Sequence, residues 1–140
     1  MTKSSTTKTT TVLLVEHHSI VRLELASRLA EMGLTVLMVS NADEAITVLD
    51  DHPEIGILLT DIKMPGSMDG IRLAHHVRDR WPPVKIIVLS GRLDTQLCEL
   101  PVDSIFLAKP VEPKALTGAV AHMMRSGGRT GTCSQAGVRS

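Results

Sequence analysis

The stretch Thr60-Asp61-Ile62-Lys63-Met64-Pro65-Gly66 follows the apolar run Ile55 to Leu59. That run reads as a strand, so Asp61 stands where a strand ends. Two further stretches repeat the arrangement. Val88-Leu89-Ser90-Gly91 and Ala108-Lys109-Pro110 each close an apolar run. A fourth strand end, Val15-Glu16-His17-His18, carries one acid and two histidines. In an open parallel α/β sheet the carboxyl ends of the strands form the ligand-binding edge. A carboxylate, a hydroxyl and an ammonium are thereby delivered to one edge.

The rest of the chain supplies the alternation such a sheet needs. Val12 to Val15 is a continuous apolar run, as expected of a strand covered on both faces. Ser19 is placed to cap a helix in which Val21, Leu25, Leu29 and Met32 recur at helical spacing, and Gly33 stops it. Leu34 to Val39 reads as a second strand. Asn41 and Glu44 fit a capping box ahead of Ala45, Ile46, Val48 and Leu49. After the loop at 61–69, Ile71, Leu73, Ala74, Val77 and Trp81 mark a third helix, ended by Pro82-Pro83. Val84 to Leu89 and Ile105 to Leu107 are the fourth and fifth strands. Pro113 opens a last helix carrying Leu116, Val120 and Met123. Between the fourth and fifth strands at most Leu93 to Leu100 is helical before Pro101. The order is βα five times, which implies a parallel sheet with helices on both faces.

Bulk composition narrows the function. The chain has 140 residues, 43% of them hydrophobic, enough for one domain with a core of its own. Residues 11–125 form that domain. Residues 1–10 and 126–140 are polar, unpatterned tails expected to be disordered. Fifteen basic and fifteen acidic side chains cancel, and there is one Trp, one Phe and no Tyr. Neither a broad positive field nor a base-stacking platform for nucleic acid is available. No apolar stretch reaches the roughly 18 residues of a membrane span. Cys98 and Cys133 have no metal or redox spacing. The expectation is a cytoplasmic protein without nucleic-acid or membrane partners.

The chemistry of the four strand ends is that of a phosphoryl-accepting site. A carboxylate held at Asp61 can attack phosphorus and become an acyl phosphate. The developing charge needs a fixed cation, hydrogen-bond donors and a divalent metal. Lys109 supplies the cation and Ser90 a hydroxyl. Glu16, Asp61 and the backbone carbonyl of Lys63 are the candidate hard-oxygen ligands for Mg²⁺. Pro65 and Gly66 turn the loop sharply.

At these residues the chain resembles the receiver domains of two-component response regulators, over about Thr11 to Arg125. The family pattern has an acidic pair after the first strand, a phospho-acceptor Asp after the third, Ser or Thr after the fourth and Lys-Pro after the fifth. Glu16, Asp61, Ser90 and Lys109 match it, and DIKMPGSMDG over Asp61 to Gly70 matches the acceptor loop. The resemblance implies a flavodoxin-like (βα)5 sandwich with strand order 2-1-3-4-5. It makes Phe106 the aromatic that rotates with Ser90 on activation. The weak fourth unit resembles stand-alone receivers. The implied partners are a sensor histidine kinase or phosphotransfer protein and a downstream protein. The implied chemistry is self-catalysed phosphoryl transfer to Asp61, not an enzyme activity on other substrates.

One position departs from the pattern. The second acid of the family pair is His17 here. Imidazole is a poor Mg²⁺ ligand and a better one for Mn²⁺ or other transition metals. Weakened Mg²⁺ binding follows, with a protonated His17 as an alternative source of positive charge. Three functions therefore compete. A phospho-accepting switch is favoured by Asp61, Ser90 and Lys109. A pseudo-receiver that docks without phosphorylation is favoured by His17. An aspartyl phosphohydrolase of the haloacid-dehalogenase type would need an acid two residues after Asp61, where Lys63 stands.

Overall fold

The computed structural model describes residues 10–91, 100, 101 and 103–125. Five strands are present: β1 (Thr11–Val15), β2 (Thr35–Val39), β3 (Ile55–Asp61), β4 (Lys85–Ser90) and β5 (Ile105–Ala108). Four helices are described: α1 (Ser19–Glu31), α2 (Ala42–Asp51), α3 (Gly70–Arg80) and α4 (Pro113–Arg125). All strand pairs are parallel and the sheet order is β2-β1-β3-β4-β5, the order expected. Residues 93–99 of the expected fourth helix, and Cys98 and Cys133, lie outside the described residues. So do residues 1–9 and 126–140. Thr10, counted with the tail in the sequence, already joins the fold. Its carbonyl accepts the Thr35 N–H at 3.0 Å.

The period of two along each strand divides the core into two layers. Leu13, Val15, Leu58, Ile86, Val88 and Phe106 face the layer closed by α2 and α3. Val12, Leu14, Ile57, Leu59, Ile87, Leu89, Ile105 and Leu107 face the layer closed by α1 and α4. The three central strands β1, β3 and β4 are buried almost throughout, which is why they read as continuous apolar runs. β2, at the edge, is only partly buried.

The helix ends obey local rules, with two differences from the sequence reading. Gly33, at φ +86°, ends α1 in a Schellman motif. Its N–H reaches the Ala30 carbonyl at 2.9 Å and the Leu34 N–H reaches Leu29 at 3.3 Å. Asn41 caps α2 by accepting the Glu44 N–H at 2.9 Å. The return bond comes from one residue earlier than a standard capping box: Glu44 Oε1 accepts from the Ser40 N–H at 2.9 Å. Ser19 does not cap α1. It is the first helical residue, His18 holds the cap position, and no side chain caps that end. Asp69, unassigned in the sequence reading, caps α3 by accepting the Arg72 N–H at 2.9 Å. Lys85 Nζ, at the start of β4, donates to the Met123 carbonyl in the last turn of α4 at 3.1 Å.

Leu58 is fully buried in the α2/α3 layer. Leu58→Ala is expected to cost about 3 kcal/mol, measured by urea unfolding monitored by circular dichroism.

Candidate functional site

Three side chains converge at the carboxyl edge because they share one phase of the pleat. Glu16 continues the phase of Val12 and Leu14, Asp61 that of Ile57 and Leu59, and Lys109 that of Ile105 and Leu107. Backbone bonds fix the edge just beyond the strands. The Glu16 N–H reaches Val39 at 3.1 Å, the Ile62 N–H reaches Leu89 at 3.1 Å, and the Lys109 N–H reaches Ser90 at 2.8 Å. The Lys109–Pro110 bond is cis.

Lys109 Nζ donates to Asp61 Oδ2 at 2.9 Å and to Glu16 Oε1 at 3.1 Å. Glu16 is fully buried and Asp61 nearly so. The second oxygen of each carboxylate is also engaged. Asp61 Oδ1 accepts the Ile62 N–H at 2.9 Å. Glu16 Oε2 accepts the His18 N–H at 3.1 Å and lies 3.3 Å from His18 Nδ1.

Burial pushes the Asp61 carboxyl up. The hydrogen bond from Lys109 opposes this and repulsion from Glu16 adds to it, and the net shift is upward. Burial pulls Lys109 down, but its bonds and charge attraction to Asp61 and Glu16 outweigh that and hold it above the ordinary lysine value. The Asp61 carboxyl is thus held above its ordinary value and its ammonium partner is firmly charged.

The remaining expected residues fall as follows. Ser90 ends β4 and is buried. Phe106 is buried in the α2/α3 layer, paired in register with Val88. Ser90 falls in the Val88 phase, so the two expected switch residues belong to the face opposite the carboxylates. Lys63 lies in the exposed part of the loop after Asp61. His17 is exposed, its ring packed edge-on to His18 with centroids 5.3 Å apart. Among the described residues no three His, Cys, Asp or Glu side chains converge as metal ligands.

Three contributors were missed in the sequence. His18, itself exposed, holds Glu16 through its backbone N–H and ring. Arg22 Nη1 donates to the Glu16 carbonyl at 2.8 Å and, at 3.4 Å, to that of His17. Gly70 packs on the backbone of Asp61 itself. A Cβ there would fall on the Asp61 carbonyl, and the Gly70 N–H reaches Ile62 O at 2.7 Å. The DIKMPGSMDG match contained Gly70 but gave no physical reason for it.

This geometry gathers two buried carboxylates and an ammonium at the carboxyl edge of a doubly wound sheet. The chain matches the response regulator receiver domain family over residues 12–121, and it belongs to that family. It is 32% identical over 116 residues to the response regulator receiver protein CpdR of Brucella abortus, covering 81% of this chain and 95% of CpdR. It is 34% identical over 118 residues to the sensor kinase CckA of the same organism, covering 81% of this chain but 12% of CckA. The chain likewise spans less than half the length of two transcriptional regulators that it matches. Among solved structures, a response regulator receiver protein from Sinorhizobium medicae superposes with a TM-score of 0.80 at 30% identity, covering 86% of this chain and 98% of that one.

Receiver domains are generally non-enzymatic signalling domains and typically bind Mg²⁺ at the phosphorylation site. Glu16 and Asp61 are the two carboxylates of this chain that would hold such an ion, with water filling its remaining positions. Each of their four oxygens already holds a protein donor, and among the described residues no third His, Cys, Asp or Glu side chain joins them.

Two expectations follow. Gly70→Ala should destabilise the fold by about 1–3 kcal/mol, read by thermal unfolding, because only backbone can give way. Asp61→Asn should stabilise the protein at neutral pH. The native carboxyl binds its proton more tightly than the unfolded one, so stability falls as pH rises from the ordinary carboxylate value to the raised one. The advantage of Asp61→Asn should therefore disappear below the ordinary carboxylate range, as measured by denaturation across pH.

Proposed function

We propose that Asp61 accepts a phosphoryl group from a histidine kinase or phosphotransfer protein and that the domain signals through changed protein contacts in the cytoplasm. The observation that carries this reading is the 2.9 Å bond from Lys109 Nζ to the Asp61 carboxylate at the strand edge. In the transfer an Asp61 oxygen forms the new bond to phosphorus while the donor's P–N bond, or P–O bond in acetyl phosphate, breaks. The donor nitrogen or oxygen leaves with that electron pair. Lys109 stays charged throughout and moves from offsetting the carboxylate to offsetting the phosphoryl oxygens. Burial of Asp61 keeps bulk water away from the acyl phosphate.

Ser90 is the hydroxyl that follows a phosphoryl oxygen, and Phe106, one strand over, reports the movement to the α2/α3 layer. The donor's approach is supported by a groove of about 390 Å³ beside Lys109, lined by Val21, Leu25, Gly91, Pro110 and Val111. Ile20 and Leu23 are exposed on the neighbouring helix. A pseudo-receiver that docks without phosphorylation is the second reading, favoured by the missing carboxylate at His17.

Incubation with acetyl phosphate, read by intact mass, tests the reading. One phosphoryl adduct is expected, lost in Asp61→Ala and formed about a hundredfold more slowly in Lys109→Met. No adduct from acetyl phosphate or from a histidine kinase would leave the pseudo-receiver.

A further inference from the structure

We propose that Glu16 in this chain holds Lys109 rather than a divalent ion, making that ammonium the resident counter-cation of the acceptor pocket and leaving Mg²⁺ weakly bound. The proposal rests on the reading of Asp61 as phosphoryl acceptor and states how that site is charged.

Four observations support it. Glu16 is fully buried, and its oxygens are divided between Lys109 Nζ at 3.1 Å and the His18 N–H at 3.1 Å. A buried carboxylate already bonded to an ammonium must share that partner to take a metal. Next, His17 stands where a second carboxylate would otherwise meet the ion. Its ring is exposed and packs on His18, away from any cluster with Glu16 and Asp61 among the described residues. The third observation is Arg22, whose guanidinium lies on the main-chain carbonyls of Glu16 and His17. It places a fixed positive charge beside the loop that a dication would approach.

The fourth is the charge count. Glu16 and Asp61 against Lys109 leave the pocket one negative charge. A carboxylate at position 17 would leave two, enough to balance Mg²⁺. Without that carboxylate, a bound dication would instead leave the pocket positive. Lys109 already supplies the charge that stabilises an incoming phosphoryl group, so the site is poised by an internal cation.

Position 17 is exposed, so His17→Asp tests the idea without disturbing the core. Mg²⁺ is titrated into the wild-type chain and into His17→Asp by calorimetry, with no phosphodonor present. The Lys109 Nζ resonance is followed by NMR in parallel. The His17→Asp protein is expected to bind Mg²⁺ at least about tenfold more tightly, with Mg²⁺ shifting the Nζ signal only in that variant. A gain below tenfold, or a wild-type Nζ signal that moves at the same Mg²⁺ concentration, overturns the proposal. Because neither readout uses phosphorylation, a chain that fails to form an Asp61 adduct would overturn the function above and leave this result standing.

Discussion

One ammonium joins the two ends of this fold. Lys109 bonds to Glu16, ninety-three residues earlier, and to Asp61, forty-eight residues earlier. A pair of nearly buried carboxylates is costly to assemble, since each loses water and repels the other. The shared cation makes the assembly tolerable, and it does so only if β1, β3 and β5 finish at one level with matching side-chain phase. The register of three strands and the identity of three residues are therefore a single constraint.

That constraint explains the division of labour across the sheet. The phase that carries Glu16, Asp61 and Lys109 is the phase of the α1/α4 layer, and the elements that steady Glu16 come from the start of α1. Ser90 and Phe106 take the other phase and belong with α2 and α3. The charged trio thus lies on one face and the expected switch pair on the other, and β5 with the residue that follows it is the segment that carries members of both sets.

The sheet was legible because its central strands are buried on both faces and its helices are amphipathic. Apolar runs gave strand ends, and strand ends gave Asp61, Ser90 and Lys109. Contacts made through the main chain were not legible. His18 acts largely through its N–H, Arg22 through two carbonyls, and Gly70 through the side chain it lacks. None of these leaves a pattern of residue types at a fixed spacing. Ser19 looked like a cap because serine is a good one, yet the turn into α1 is set one residue earlier by Glu16 drawing in the His18 N–H. The switch of the capping-box bond from Asn41 to Ser40 is the same kind of miss, one residue wide.

The closure at Gly70 has a consequence for how this chain can diverge. The loop after Asp61 leaves the sheet at Ile62 and is fastened again by the Gly70 N–H on the Ile62 carbonyl, with no space between Gly70 and the Asp61 backbone. Residues 63 and 65–67 are exposed along the way. Such a loop is a closed ring, tolerant in spelling and intolerant in length. Drift can rewrite its solvent-facing letters, whereas gaining or losing one residue would lift the ring off Asp61.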